Sequence, residues 1–373
     1  MSQLMRAVVW SFLVVLAAVS PAAGQTAPAV SAGDGTLYLG AFPQRIFVID
    51  EASARVVQET DVPRGAPRSM VLSEDRSRFY MLDPLMEHVT TVSVAGREVT
   101  DSFTLSEGNR RVRIRSFRVA PDGRTAILHV DAAVKLVDRF EIEPRKLLQY
   151  DLERHEVVKD IPWPNTDAIG IGDLVGSRML FAPDGESLYY FDQDVLVLET
   201  ENFTVVDRWD LSEPIEDGLG PLQFGFATDL INEEPGFFTG LFRMRDAAQN
   251  RDLMGVARID LANRGVDFYA LGPSEPVGFA LAPGRRKAYG VRSEIGSYEF
   301  WTFDLEKRAL GRRQRLDGRP RMALDVSSNG RVLYISSAGN TIDYYDADSF
   351  DHLHTLTLDG DMTAGLFVMP PSP

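Results

Sequence analysis

No cysteine occurs in the 373 residues of this chain. That excludes disulfides, a covalently attached c-type haem, a thiolate metal centre, a lipidated N-terminal cysteine and a cysteine-derived quinone crosslink. Histidine is scarce, with five copies. His88, His129 and His155 are scattered, and His352-x-His354 falls at the spacing that puts two rings on one face of a strand. That strand reads as an outer one, so the pair reads as surface. Basic charge is short as well. Lys and Arg number 39 against 54 Asp and Glu, a net charge of −15, which disfavours nucleic acid and anionic membrane surfaces as partners. No Gly-x-Ser-x-Gly elbow, His-Glu-x-x-His pair or Asp-x-Asp-x-Asp-Gly loop is present. These absences leave no catalytic constellation, and no cofactor or metal is expected.

Long apolar runs are missing except near the start. Arg6 precedes an apolar stretch from Ala7 to Ser20, followed by the small residues Pro21-Ala22-Ala23-Gly24. The stretch is short for a membrane span and has the form of a secretory signal. The reading is a signal peptide over 1–24, a disordered linker over 25–34 and one folded domain over 35–370. The protein is then exported, to a bacterial periplasm or the medium, with no stable membrane insertion after cleavage. Without disulfides it must hold itself together by packing or by closing its topology.

What the chain has is a repeat. Ala120-Pro121-Asp122-Gly123 returns as Ala182-Pro183-Asp184-Gly185. Looser copies are Ser73-Glu74-Asp75-Arg76, Glu234-Pro235-Gly236, Ala282-Pro283-Gly284 and Ser328-Asn329-Gly330. With Asp75, Asp122, Asp184, Pro235, Pro283 and Asn329 as markers, the intervals are 47, 62, 51, 48 and 46 residues. That is the period of a propeller blade, one four-stranded sheet per repeat. Each turn leads into a strand such as Ser187-Leu188-Tyr189-Tyr190-Phe191. The next strand ends in an apolar-Asp pair: Ile49-Asp50, Tyr150-Asp151, Ile259-Asp260, Phe303-Asp304, Tyr345-Asp346. Each Asp is expected to accept hydrogen bonds from the following turn. Residues 35–60 supply three strands and 363–369 one. The fold expected is an all-β, seven-bladed β-propeller, its ring closed by the C-terminal strand pairing with the N-terminal strands. Closure also removes exposed sheet edges.

The Pro-Asp-Gly turns, the Leu-Tyr strands (Leu37-Tyr38, Leu188-Tyr189, Leu333-Tyr334) and the apolar-Asp strands resemble the YVTN-type seven-bladed propellers, a WD40-like class of repeat protein. Relatives there include the β subunit of quinohemoprotein amine dehydrogenase and the heavy chain of methylamine dehydrogenase. The resemblance covers roughly residues 35–369. It implies a fold, and a role as a subunit of a larger complex, but no activity.

Propeller topology sorts the connections. One-to-two and three-to-four turns lie at one end of the channel, and two-to-three and blade-to-blade loops at the other. The long connections, 131–145, 162–176, 210–222 and 244–252, fall in the second set. The first set reads as short turns. Arginines near the starts of innermost strands form a candidate ring at the channel mouth. The candidate binding residues are Arg68, Arg115, Trp163, Asp173, Arg178, Arg243 and Arg321. They suit a protein partner or a small anionic ligand. The expected function is a non-catalytic binding scaffold. The alternative is a lactonase-like hydrolase with its active site at the channel mouth, although no general acid-base pair stands out for it.

Overall fold

The computed structural model describes residues 31–161, 179–191, 194–211, 217–224, 229–318, 323–336 and 339–371. Among them the chain is all-β and forms seven antiparallel sheets. The sheets are the blades of a propeller. Six contain four strands, and blade 3 carries a fifth, Phe140–Ile142, added to the second strand Thr125–Lys135. Second and third strands are β-branched and aromatic and are buried almost throughout, as in Ser187–Phe191 and Val195–Glu199. Outermost strands alternate exposed and covered residues, as in Arg55–Asp61. That alternation is what a half-solvated strand requires.

The ring closes as expected. Met362–Met369 pairs antiparallel with Thr36–Ala41, matching Leu37 with Val368 and Tyr38 with Phe367. The closing strand begins at Met362, one residue earlier than the sequence reading.

A tyrosine recurs at one register position. Tyr38, Tyr80, Tyr189, Tyr289 and Tyr334 stand opposite Phe367, Val71, Leu180, Ala280 and Asp325 of the innermost strands. Tyr38 donates to the Val94 carbonyl at 2.9 Å, and Tyr189 to the Leu261 carbonyl at 2.8 Å. Each acceptor lies just past the third strand of the next blade, so each tyrosine ties two blades together. At the seam between blades 7 and 1 the acceptor is a side chain. Tyr334 donates to Glu51 Oε1 at 2.7 Å. Glu51 is fully buried and also accepts from Gly35 N at 2.7 Å, from Ser328 N at 2.8 Å and from Ser328 Oγ.

The third-strand aspartates do as the sequence implies. Asp151 Oδ1 accepts from the Arg154 and Glu153 amides, both at 2.9 Å, and Asp346 Oδ1 from the Ser349 amide at 2.7 Å. These amide donors hold both carboxyls below the ordinary value, because they stabilise the charged form. The turns that follow carry a feature the sequence hides. Ala54, Arg97, His155, Phe203, Arg264, Arg308 and Phe350, one per blade, all adopt φ between 52° and 60°. Each sits beside a register shift in the third-to-fourth pairing. The conformation recurs sevenfold, yet none of the residues is glycine or asparagine, the usual signals for it.

The loop assignment needs two corrections. Segments 131–145 and 244–252 are largely strand, because Thr125–Lys135 and Phe237–Asp246 run on past the level of the other blades. The one-to-two connections are also not all short. In blade 5 the described residues 229–236, which form no strand, precede the second strand at Phe237. That segment is discussed below.

Candidate functional site

The end of the channel formed by two-to-three loops carries bare apolar tips. Phe42 of blade 1, Leu85 of blade 2, Val137, Phe140 and Ile142 of blade 3, and Ile295 of blade 6 are all exposed. Below the blade 3 tip lies a cleft of about 250 Å³ walled by Leu105, Val112, Val130, Ala132 and Leu148. Arg110 closes its rim with a bidentate pair to Glu143 at 2.6 and 2.9 Å. Among the described residues, Arg64, Arg68, Arg111, Arg113 and Arg243 are exposed on this face and make no ion pair.

The predicted residues fare unequally. Arg68 directly precedes the innermost strand Ser69–Leu72, and Arg243 lies on the second strand of blade 5 opposite Gln223. Arg115 holds the position in blade 3 equivalent to Arg68, but its Nε donates to Asp131 Oδ2 at 2.7 Å. Its charge is neutralised by a neighbour on its own blade, so it is not free for a ligand. Trp163, Asp173, Arg178 and Arg321 lie outside the described residues. On blade 6, Arg292 and Arg313 are taken up by Glu275 and Glu299, each with one contact at 2.8 Å. The two histidines do not share a face. A register shift between Tyr344 and Tyr345 sets His354 against Tyr344 and His352 against Tyr345, and those tyrosines belong to different clusters of the core. Among the described residues no three His, Asp or Glu groups converge to hold a metal.

At the opposite end of the channel the blade 5 segment 229–236 reaches the far side of the ring, where Leu230 and Ile231 pack against Tyr38, Met70, Leu72 and Met369 of blades 1 and 2. Arg76 of blade 2 donates to the Leu230 and Ile231 carbonyls at 2.9 and 3.2 Å. Arg285 of blade 6 donates to the Asn232 carbonyl at 3.3 Å. Asp229 caps the segment, accepting from the Ile231 and Asn232 amides, both at 2.9 Å.

Charged residues missed by sequence reasoning gather beside it. Arg118 is buried on the innermost strand of blade 3 and reaches Glu74 of blade 2 at 3.2 Å. Burial pulls its pKa down, and Glu74 opposes that shift. Asp325 of blade 7 holds the equivalent position. The signal for both was a single charge inside an apolar inner strand: Phe117-Arg118-Val119 and Leu324-Asp325-Val326.

Asp325 is pushed up to about 7, first by burial and second by the charge of Asp229. A carboxyl whose pKa rises on folding favours the fold only while protonated. Its contribution is therefore best near pH 4 and is lost as pH climbs to about 7. Asp325→Asn is expected to stabilise the protein at about pH 8 by roughly 4 kcal/mol at most, from about three pKa units at ~1.4 kcal/mol each. Near pH 4 it should change little. Urea melts at the two pH values check this, and an equal effect at both would mean the carboxyl is not strained.

No protein-family model matches the chain, and no curated protein is significantly similar to it. Solved structures do match over the ring. One, a functionally unknown protein from Desulfotomaculum acetoxidans, aligns with TM-score 0.55 at 10% identity, covering 91% of this chain and 100% of that one. A dihydro-heme d1 dehydrogenase, NirN, aligns with TM-score 0.54 at 14% identity over 94% of this chain and 78% of its own. A eukaryotic initiation factor aligns with TM-score 0.53 at 9% identity over 90% and 99%. At such identities the likeness is one of fold, and the chain is a seven-bladed β-propeller whose structural neighbours carry unrelated functions.

Proposed function

We propose that this protein is an exported, non-catalytic propeller that docks a protein partner on its loop-bearing face. Its recurring strands keep the YVTN-type likeness as part of the proposal. The observation that carries the reading is the blade 3 extension, which bears the bare Val137, Phe140 and Ile142 and a cleft of about 250 Å³ whose apolar walls are edged by Arg110, Glu143, Lys146 and Asp160. Exposed apolar groups gathered on one face mark interaction surfaces. The unpaired Arg111 and Arg113 on the same extension, with Arg64 and Arg68 beside it, give that surface a positive character in a chain of net charge −15. The complementary partner is an acidic protein surface presenting an apolar anchor.

The test uses protein recovered from the exported fraction, where intact mass reports whether residues 1–24 have been removed. Crosslinking and mass spectrometry then identify what is held. The expected result is an acidic protein crosslinked near blade 3. Phe140→Ser with Ile142→Ser should weaken it by about 2 kcal/mol or more, and Arg111→Glu with Arg113→Glu should abolish capture. Unchanged capture by both variants, crosslinks confined to the turn end around Asp122 and Asp184, or binding to anionic vesicles in place of protein would each overturn the proposal.

A further inference from the structure

The ring of residues at the channel floor is electrically lopsided. At the innermost-strand position opposite the register position of the second-strand tyrosines, the described residues are Val71, Arg118, Leu180, Ala280, Asp325 and Phe367, with blade 5 outside the described residues there. Four are apolar, one is a cation and one an anion. Blades 3 and 7 are three apart in a ring of seven, so the two charges face each other across the channel. Two residues earlier along the same strands, among the described residues, stand the small Ser69, Ser116, Gly278, Ala323 and Gly365.

Two donors at this floor are unanswered. Arg118 is 5% exposed and Ser116 8% exposed. Arg118 Nε and Ser116 Oγ have no hydrogen-bond partner. They are two residues apart on one strand, on the side opposite Phe117 and Val119, which pack against blade 2. Glu74 occupies only the Nη2 end of the guanidinium. Buried donors are nearly always paired, and an exception points to a missing acceptor. An anion alone would satisfy them but would then face Asp325 and Asp229. A cation alone would suit those carboxylates but would face Arg118.

We propose that the channel floor binds a small zwitterion, its carboxylate on Arg118 Nε and Ser116 Oγ and its ammonium on Asp325 beside Asp229. Leu230 and Ile231 pack beside the site at the turn end of the channel. It stands independently of the docking proposal.

The ω-amino acids β-alanine, γ-aminobutyrate and ε-aminocaproate act as a ruler for the gap, with butyrate and butylammonium as single-charge controls. Calorimetric titration of the protein is expected to show one chain length binding about tenfold tighter than the others. Both controls should be weaker still. Asp325→Asn should remove the preference for the zwitterion over butyrate, and Arg118→Met should remove binding. Should Arg118→Met not fold, Ser116→Ala serves in its place, with a loss of about tenfold. Phe140→Ser should leave the titration unchanged, which separates this site from the docking face. No heat or thermal shift with any of the three at millimolar concentration, or controls that bind as well as the zwitterions, would overturn the proposal.

Discussion

Deleting the strand Met362–Met369 is expected to leave no stably folded monomer. The strand contributes the innermost row of blade 1 and buries Leu366, Val368 and Met369, while Phe367 meets Phe79 edge-on at 5.1 Å. Burial of three to four large apolar side chains is worth roughly 5–10 kcal/mol. That is comparable with the whole stability of a typical domain, about 5–15 kcal/mol. The deletion also bares Thr36–Ala41, an apolar strand with unpaired backbone groups, which templates edge-to-edge association. Size-exclusion chromatography with light scattering and a thermal melt by circular dichroism should show aggregation and loss of the native transition. A truncated chain that remains monomeric and melts with the full-length protein would refute the closure scheme.

The second large effect is expected at Glu51. Ala at this position removes the acceptor for Gly35 N, Ser328 N, Ser328 Oγ and Tyr334 OH together. These donors lie in the seam between blades 7 and 1, where Tyr334 is fully buried and Ser328 partly so. Breaking a buried charged network by deleting one member costs about 3–5 kcal/mol. Tyr334→Phe removes a single bond and should cost about 1 kcal/mol. Urea denaturation of the two variants gives the comparison. A loss below about 1 kcal/mol for Glu51→Ala would show that water replaces the carboxylate and that the seam does not depend on it.

The fold was legible because its signals are local and repeated. A Pro-Asp-Gly turn, a tyrosine at fixed register and an aspartate after the third strand each recur blade after blade, and Gly123 and Gly185 supply the positive φ those turns require. What escaped the sequence depends on exceptions to the repeat. Glu51 stands next to Asp50 and reads as an ordinary turn residue, because three of its four donors come from nearly three hundred residues away. The blade 5 crossing was missed because Glu234-Pro235-Gly236 closes as a normal turn, which conceals the residues inserted before it. The histidine pair was placed on one face because strand alternation holds only where no bulge intervenes, and one does. At the candidate face, arginine at a strand start proved ambiguous. Arg68 and Arg115 occupy equivalent positions, yet only Arg115 has an aspartate within reach. Side-chain reach of that kind is a property of the neighbouring strand and is not written in either residue.

The crossing segment has a mechanical consequence. Blades in a ring touch only their neighbours, and repeat assemblies of that kind open unit by unit, each interface setting a local free energy. Here Arg76 and Arg285 tie the blade 5 connection to blades 2 and 6, and Leu230 and Ile231 carry it into the packing of blades 1 and 2. The connection is a spoke, and it turns a hoop into a wheel. Blade 5 cannot swing outward without pulling on the opposite side of the rim, next to the seam that Glu51 holds shut. Opening modes that a simple ring would localise become shared, and the propeller unfolds as a more cooperative body than its blade-by-blade construction implies.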